Sequence, residues 1–396
     1  MQPNLDKLHF LIGDLKGLEQ IQHIKVLPIF STRIISFLAA LSKQLLADKR
    51  SKDYPDIVSY AFWIRRSALE KSKDNYPQCD RKIGRGVTFH IAPANVPVNF
   101  AVSMTSALLA GNACIIRVSN KTFEQVAIIC EAIEQLLASE YYWMKEYLYI
   151  IRYDHQLEIT QYLSELCDVR VVWGGNETIN KIREAKLPPR AIELTFGDRY
   201  SIAIINGDKY LNCDAKVIAD KFYTDTYYSD QNACSSPRII IWTGKQVQKA
   251  QELFWRTLEE KVKREYVMEP IQVVNKLATF SKLVAQHQGV HLVEKNNWIM
   301  RIKIDRLFDE LMHYKQNSGY FFEYITEDLR ELTILFRKEC QTVACLGIEP
   351  EEIKKLVVNS GVKGVDRIVP IGDTMMLSFI WDGYDMIDTM SRYLSV

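Results

Sequence analysis

From about residue 84 the chain alternates short β-branched runs with amphipathic stretches of helical length. The runs are VTFHI (87–91), ACIIRVS (113–119), YLYIIR (147–152), VRVVWGG (169–175), SIAIIN (201–206) and RIIIW (238–242). Between them, Thr122–Leu137, Gln156–Leu166 and Ala215–Tyr228 repeat their apolar residues at helical spacing. That rhythm predicts βαβ units and a mainly parallel sheet. The nearly continuous apolar strands fit a sheet covered on both faces. Residues 1–80 read instead as helices with charged turns, for example Thr32–Lys49, with Tyr60, Phe62 and Trp63 packing this segment onto the chain beyond it. Gly364–Val396 mixes strand-like runs with a short closing helix. No repeat or Pro/Gly-rich linker marks a boundary; the expected break is near Phe196–Asp198.

Composition narrows the class more than the chemistry. At 396 residues, with 47% hydrophobic and 25% charged side chains, the chain suits two α/β domains of ordinary globular make-up. Fifty basic residues against 49 acidic ones leave no field that marks a nucleic-acid or membrane binder. No apolar stretch approaches a membrane span, and the first residues lack a signal-peptide layout. Eight cysteines without paired spacings argue against a disulfide framework, and no zinc motif is present. The expectation is a reduced, cytoplasmic enzyme without a metal.

Four segments carry candidate chemistry. DQNACSSP (230–237) puts Cys234 between a helix and a buried strand, with small neighbours that leave room for an acyl group; a packed, inert cysteine is the alternative. HIAPANVPVNF (90–100) ends a strand and frames Asn95 between prolines, as an oxyanion donor or as a simple turn residue. GNACIIRVSN (111–120) places Arg117 at a strand's carboxyl end, where it grips a phosphate or merely meets solvent. WGGNE (173–177) is a strand, two glycines and a helix start, suited to an anion. His90 lies within a strand and reads as a hydrogen-bonded core histidine.

In this order the segments resemble the aldehyde dehydrogenase superfamily, and more closely its branch of LuxC-type acyl-CoA (fatty-acyl) reductases, known from bacterial luminescence systems. The resemblance rests on HIAPANVP, LLAGNACIIRVSN, VVWGGNETI, FGDRYS, DQNACSSP, GVDRIVPIGD and WDGYD, and spans residues 84–396. It implies an α/β, aldehyde-dehydrogenase-like fold of two three-layer domains with an active-site cleft between them. Residues 1–197 would then hold the nicotinamide cofactor and 198–370 the catalytic cysteine. Residues 371–396 would return to the cofactor domain or serve an oligomer contact.

The same resemblance implies roles. Cys234 would be the nucleophile and Asn95 the donor to the thioester oxygen. Arg117, Ser119 and Asn120 would meet the adenosine ribose, with a guanidinium where relatives carry lysine and no carboxylate at Asn120, which favours NADPH. Gly174, Gly175 and Asn176 would border the pyrophosphate, and Glu339 the nicotinamide ribose. Glu193 resembles a general base, although Thr195-Phe196 replaces the usual glycines; Asp198 is the other carboxylate nearby. The implied reaction is reduction of an acyl-CoA or acyl-protein thioester to an aldehyde through acyl-Cys234, beside an acyl-protein synthetase and in a homo-oligomer. An NAD(P)-dependent aldehyde dehydrogenase and a non-redox acyl carrier are the alternatives.

Overall fold

The computed structural model describes residues 5–294 and 296–395. They divide into two compact units, one of residues 5–197 with 377–395 and one of residues 198–376.

The first unit holds a six-stranded sheet: β1 (His9–Ile12), β2 (Val87–Ile91), β3 (Ala113–Arg117), β4 (Leu148–Arg152), β5 (Val169–Trp173) and β6 (Ile192–Phe196). Its spatial order is β1-β4-β3-β2-β5-β6. Neighbours run parallel except β1, which pairs antiparallel with β4 at one edge. β1 departs from the expectation of helices throughout residues 1–80. The run HFLI is too short to show a period, and its pairing covers what would be an open edge of β4. Helices do form over Thr32–Ala47, Pro55–Trp63 and Arg66–Lys73. Tyr60 is fully buried and Trp63 packs on the same core, but Phe62 is exposed, with the Arg65 guanidinium 4.8 Å over its ring.

Chain order makes β2 a turning point, with β3 and β4 laid to one side and β5 and β6 to the other. Loops leaving the carboxyl ends of β2 and β5 therefore diverge, which is where open parallel sheets take ligands.

The second unit holds seven strands: β7 (Tyr200–Asn206), β8 (Pro237–Thr243), β9 (Val290–Leu292), β10 (Met300–Ile304), β11 (Tyr320–Ile325), β12 (Cys340–Leu346) and β13 (Arg367–Pro370). Their order is β9-β10-β11-β8-β7-β12-β13, parallel except for β9 against β10. Alternate residues serve opposite faces: Ile202, Ile204, Ile239 and Ile241 join one core, Ala203, Ile205, Ile240 and Trp242 the other. Two covered faces explain why SIAIIN and RIIIW show no polar alternation. Among the described residues no helix is long and apolar enough to cross a membrane.

Candidate active site

The loop carrying Cys234 is held in a shape its own residues do not favour. After a turn of 3-10 helix (Tyr227–Ser229), Asp230 and Gln231 both take left-handed backbone, at φ 52° and 59°. Such positions cost non-glycine residues on the order of 1 kcal/mol or more each. Buried hydrogen bonds offset that cost. Gln231 Nε2 donates to the carbonyls of Pro237 (3.0 Å) and Tyr320 (3.3 Å), and its Oε1 accepts from the N–H groups of Gly319 (3.0 Å) and Tyr320 (3.2 Å). The Tyr266 hydroxyl donates to Asp230 Oδ1 at 2.6 Å. Ser201 Oγ donates to the Cys234 carbonyl at 2.8 Å, which fixes the loop to β7. The polar letters of DQNACSSP are thus divided: Gln231, Ser235 and Ser236 are buried, while Asp230 and Asn232 are exposed.

Cys234 is half-buried. The side chain of Gln341, itself buried at the start of β12, donates from Nε2 to Cys234 Sγ at 3.1 Å. Arg238, at the start of β8, donates from Nη1 to Gln316 O (2.7 Å) and Asn317 Oδ1 (2.9 Å), and from Nη2 to Gln231 O (2.5 Å). Burial pulls the Arg238 pKa down to about 10, and the nearby Cys234 sulfur acts the other way. Lys315 is also shifted down, by burial first and then by repulsion from Arg238, with Asp198 and Cys234 opposing the shift. Two cations therefore share the sulfur's surroundings. By contrast, burial pushes the thiols of Cys114, Cys130, Cys167, Cys340 and Cys345 up to about 12, as befits packed cysteines. All the contacts around Cys234 gather at the amino-terminal ends of β7, β8, β11 and β12.

In the first unit the candidate residues gather at the opposite kind of edge. Asn95 is exposed on the loop leaving β2. Arg117, the last residue of β3, donates from Nε and Nη2 to the Tyr153 carbonyl (3.4 and 3.2 Å), and its guanidinium lies 4.8 Å over the Tyr153 ring. Ser119 joins Ala92, Pro93, Pro97 and Phe123 around a small, mainly apolar hollow. Asn120 Nδ2 donates to Asp154 Oδ1 at 2.7 Å. Gly174 and Gly175 lead from β5 into the helix Asn176–Arg183, whose N-cap, Gly175, offers no side-chain cap. The first amides of that helix lack intrahelical partners and suit an anionic group. Asn176 Oδ1 lies where a Cβ on Gly197 would come within 2.7 Å, so a larger residue at 197 would displace it.

Glu193 does not share that edge. It sits opposite Arg170 in the β5–β6 register, two residues short of the Val172–Thr195 pair, roughly 7 Å back along the strand. Arg170 donates to Glu193 Oε2 from Nε (2.9 Å) and Nη2 (2.5 Å), and Arg183 Nε donates to Oε1 at 2.6 Å. Both oxygens of Glu193 are thus committed to arginines, an arrangement that fits a structural ion pair better than a base. Glu339 is half-exposed just before β12, 4.0 Å from Arg337 Nε, and its carbonyl accepts from Tyr200 N–H at 2.8 Å. His90 is fully buried, bonded through Nδ1 to Ser103 Oγ at 2.6 Å, and burial lowers its pKa to about 3.

The family model described as acyl-CoA reductase (LuxC) matches residues 15–294. The chain belongs to that family. The long-chain acyl-protein thioester reductase of Aliivibrio fischeri is 28% identical to this LuxC-family chain over 231 residues, covering 56% of the chain and 43% of the relative. That of Vibrio harveyi is 27% identical over 231 residues, covering 56% and 46%. The matched stretch is thus under half the length of either reductase. Among solved structures, an aldehyde dehydrogenase from Brucella melitensis biovar abortus 2308 superposes with a TM-score of 0.67 at 14% identity, over 96% of this chain and 86% of that one. A NAD-dependent benzaldehyde dehydrogenase from Corynebacterium glutamicum gives 0.66 at 13% identity, over 99% and 95%. These likenesses establish the aldehyde-dehydrogenase-like α/β fold with two mainly parallel sheets.

Four residues of this candidate site lie outside the sequence expectations: Ser201, Arg238, Lys315 and Gln341. Arg238 directly follows DQNACSSP, and an arginine opening an apolar strand is a usable signal. Gln341 and Lys315 stand in no motif and reach Cys234 only through the parallel sheet.

Proposed function

We propose that this chain reduces an acyl thioester, carried by coenzyme A or by a protein, to an aldehyde through an acyl-cysteine on Cys234. The observation that carries the reading is the surroundings of the Cys234 sulfur: one amide hydrogen bond and two nearby cations, on a loop braced by buried bonds. Positive charge and a donor favour the thiolate, which is the nucleophilic form. The thiolate attacks the thioester carbon, and the first thiol departs. In this proposal Asn95 and the Cys234 N–H donate to the oxyanion. Lys315 is proposed as the proton source for the departing thiolate.

A nicotinamide dinucleotide suits the carboxyl edge of the first sheet. The uncapped amides after Gly174–Gly175 and the adjoining Asn176 would take the pyrophosphate. Arg117, Ser119 and Asn120 would take the adenosine ribose, and Glu339 the nicotinamide ribose. When bound in its reduced form, the cofactor supplies a hydride. Arg117 supplies a guanidinium and Asn120 an amide in place of a carboxylate, so we propose NADPH over NADH. An acyl-protein synthetase as partner and a homo-oligomer are proposals of the same standing.

An aldehyde dehydrogenase working toward acid needs a base for water, and the ion pairs at Glu193 disfavour the residue expected to serve. A non-redox acyl carrier would have no use for the donor set at Arg117 and Gly174–Asn176. The test is incubation with a panel of acyl-CoAs, with and without NADPH, following thiol release, NADPH consumption and aldehyde. Coupled appearance of all three supports the reading. Thiol release that proceeds equally without NADPH and yields no aldehyde contradicts it.

A further inference from the structure

We propose that Gln341 is a catalytic residue whose side-chain amide carries the negative charge of Cys234 Sγ, both when the thiolate attacks and when the carbon–sulfur bond later breaks. The proposal rests on the thioester-reductase reading for its substrate, and on geometry for the rest. Nε2 lies 3.1 Å from Sγ, inside hydrogen-bond range for a sulfur acceptor. The amide is not free to turn away. Gln341 is completely buried, Thr342 Oγ1 donates to its Oε1 at 3.3 Å, and its main-chain carbonyl accepts from Asp366 N–H at 2.9 Å. With Oε1 engaged on one side, the N–H₂ end is directed toward the sulfur. Ser201 strengthens the arrangement from β7, since its Oγ donates to Cys234 O at 2.8 Å and accepts from Thr342 N–H at 3.2 Å. One serine thereby ties the cysteine's backbone to the residue next to the glutamine.

A fully buried amide N–H aimed at a sulfur gains most when that sulfur is charged, because charge-assisted hydrogen bonds exceed neutral ones. The cysteine is charged at two moments of the proposed cycle. In the first, the Sγ electron pair forms the bond to the acyl carbon and the leaving thiolate takes the pair of the bond it breaks. In the second, after hydride from a reduced nicotinamide has reached that carbon, the thiohemiacetal oxygen forms the aldehyde carbonyl. The carbon–sulfur pair then returns to Sγ. No proton is needed at sulfur in that collapse if a donor already faces it. Arg238 from β8 and Lys315 from the segment before β11 add positive charge through space, and Asp198 faces Lys315. The Gln341 amide, by contrast, touches the sulfur.

The experiment is the pH dependence of alkylation at Cys234, read by peptide mass after brief exposure to iodoacetamide, in the wild type, Gln341→Leu and Gln341→Glu. Arg238, Lys315 and Asp198 are unchanged across the series, so a difference isolates the amide. The midpoint should rise by about one pH unit in Gln341→Leu, a roughly tenfold loss of reactivity near neutrality, and further in Gln341→Glu, which sets a carboxylate beside the sulfur. Coincident midpoints in the wild type and a folded Gln341→Leu overturn the proposal. Gln341→Glu keeps the side chain's size and covers the case in which the leucine variant does not fold; an unmoved midpoint there overturns it equally. The readout needs no thioester, so a wild type that is never acylated would defeat the reductase reading and still leave Gln341 decided.

Discussion

In the first unit the candidate residues stand where parallel strands end, and in the second they stand where parallel strands begin. The two edges are built from different material. At the carboxyl ends of β2, β3 and β5 the offering is a helix start without a side-chain cap, an exposed asparagine and an arginine resting on Tyr153. Such an edge is held together more loosely, with Asn95 in solvent and Arg117 and Asn120 bonded only to the neighbouring Tyr153 and Asp154. At the amino ends of β7, β8, β11 and β12 the groups are bonded to one another, through Gln231, Ser201, Arg238 and Gln341. The first arrangement suits reversible binding of a charged molecule, and the second suits a fixed nucleophile. Substitutions should therefore act on affinity at one edge and on stability and thiol chemistry at the other.

The largest effect expected tests the one carboxylate that belongs to neither edge. Glu193→Gln leaves Arg170, whose side chain is only 3% exposed, without its carboxylate, and should lower stability by about 3–5 kcal/mol in denaturant melts. Turnover per folded molecule should hardly change; a folded variant without turnover would restore Glu193 as a catalytic group. Next comes Arg238→Met, which strands three acceptors, the buried Gln231 O and the half-buried Gln316 O and Asn317 Oδ1, and removes a positive charge that interacts with the sulfur. A loss on the order of 3 kcal/mol is expected, with slower alkylation of Cys234. An unchanged melt would show that the amino edge is not braced as described.

Asp225 offers a pH test of the second unit's rigidity. It is buried and accepts from the N–H groups of Gly372 (2.6 Å) and Thr374 (3.1 Å), and burial raises its pKa to about 6. A carboxyl raised in the folded state binds more protons there than in the unfolded chain between about pH 4 and 6. Its contribution to stability is therefore greatest below that window and is lost as pH rises through it. Relative to Asp225→Asn, the wild type should lose up to about 3 kcal/mol between pH 4 and 7. A difference that is flat with pH, or grows the other way, contradicts the assignment. The smallest effect belongs to the open edge. Arg117→Gln should weaken NADPH binding about tenfold, leave NADH nearly unmoved and barely shift the melt. Equal losses for both cofactors would remove Arg117 from the 2′-position.

Much of the first sheet is legible in the sequence because its strands are short, apolar and separated by clear helical stretches. HFLI escapes, being too brief to carry a period, and so does IELTF (192–196), whose apolar run is interrupted by Glu193 and Thr195. The second sheet is harder to read. RIIIW and SIAIIN stand out, but β11 is YFFEYI, interrupted by Glu323. That residue is buried, with Oε2 accepting from the indoles of Trp242 (2.9 Å) and Trp255 (2.8 Å) and Oε1 from Arg301 Nε (2.7 Å). A charge satisfied inside a core looks, in one dimension, like a charge in solvent. The same limit applies to the site. Cys234 and Asn95 announce themselves by local context, but Gln341 meets Cys234 across a strand order that sequence spacing does not encode. At Glu193, likewise, a motif position says nothing of the two arginines that close on it.

The central claim, that Cys234 carries the acyl group, is tested most directly by mapping the adduct. The protein is incubated with an acyl-CoA, digested without added thiols, and the peptide bearing residue 234 is weighed before and after a pulse of NADPH. The expected result is an acyl mass on Cys234 that disappears with the pulse as aldehyde appears in equal amount, and no adduct in Cys234→Ala. An acyl group found on another residue, or aldehyde made at the normal rate by Cys234→Ala, would contradict it.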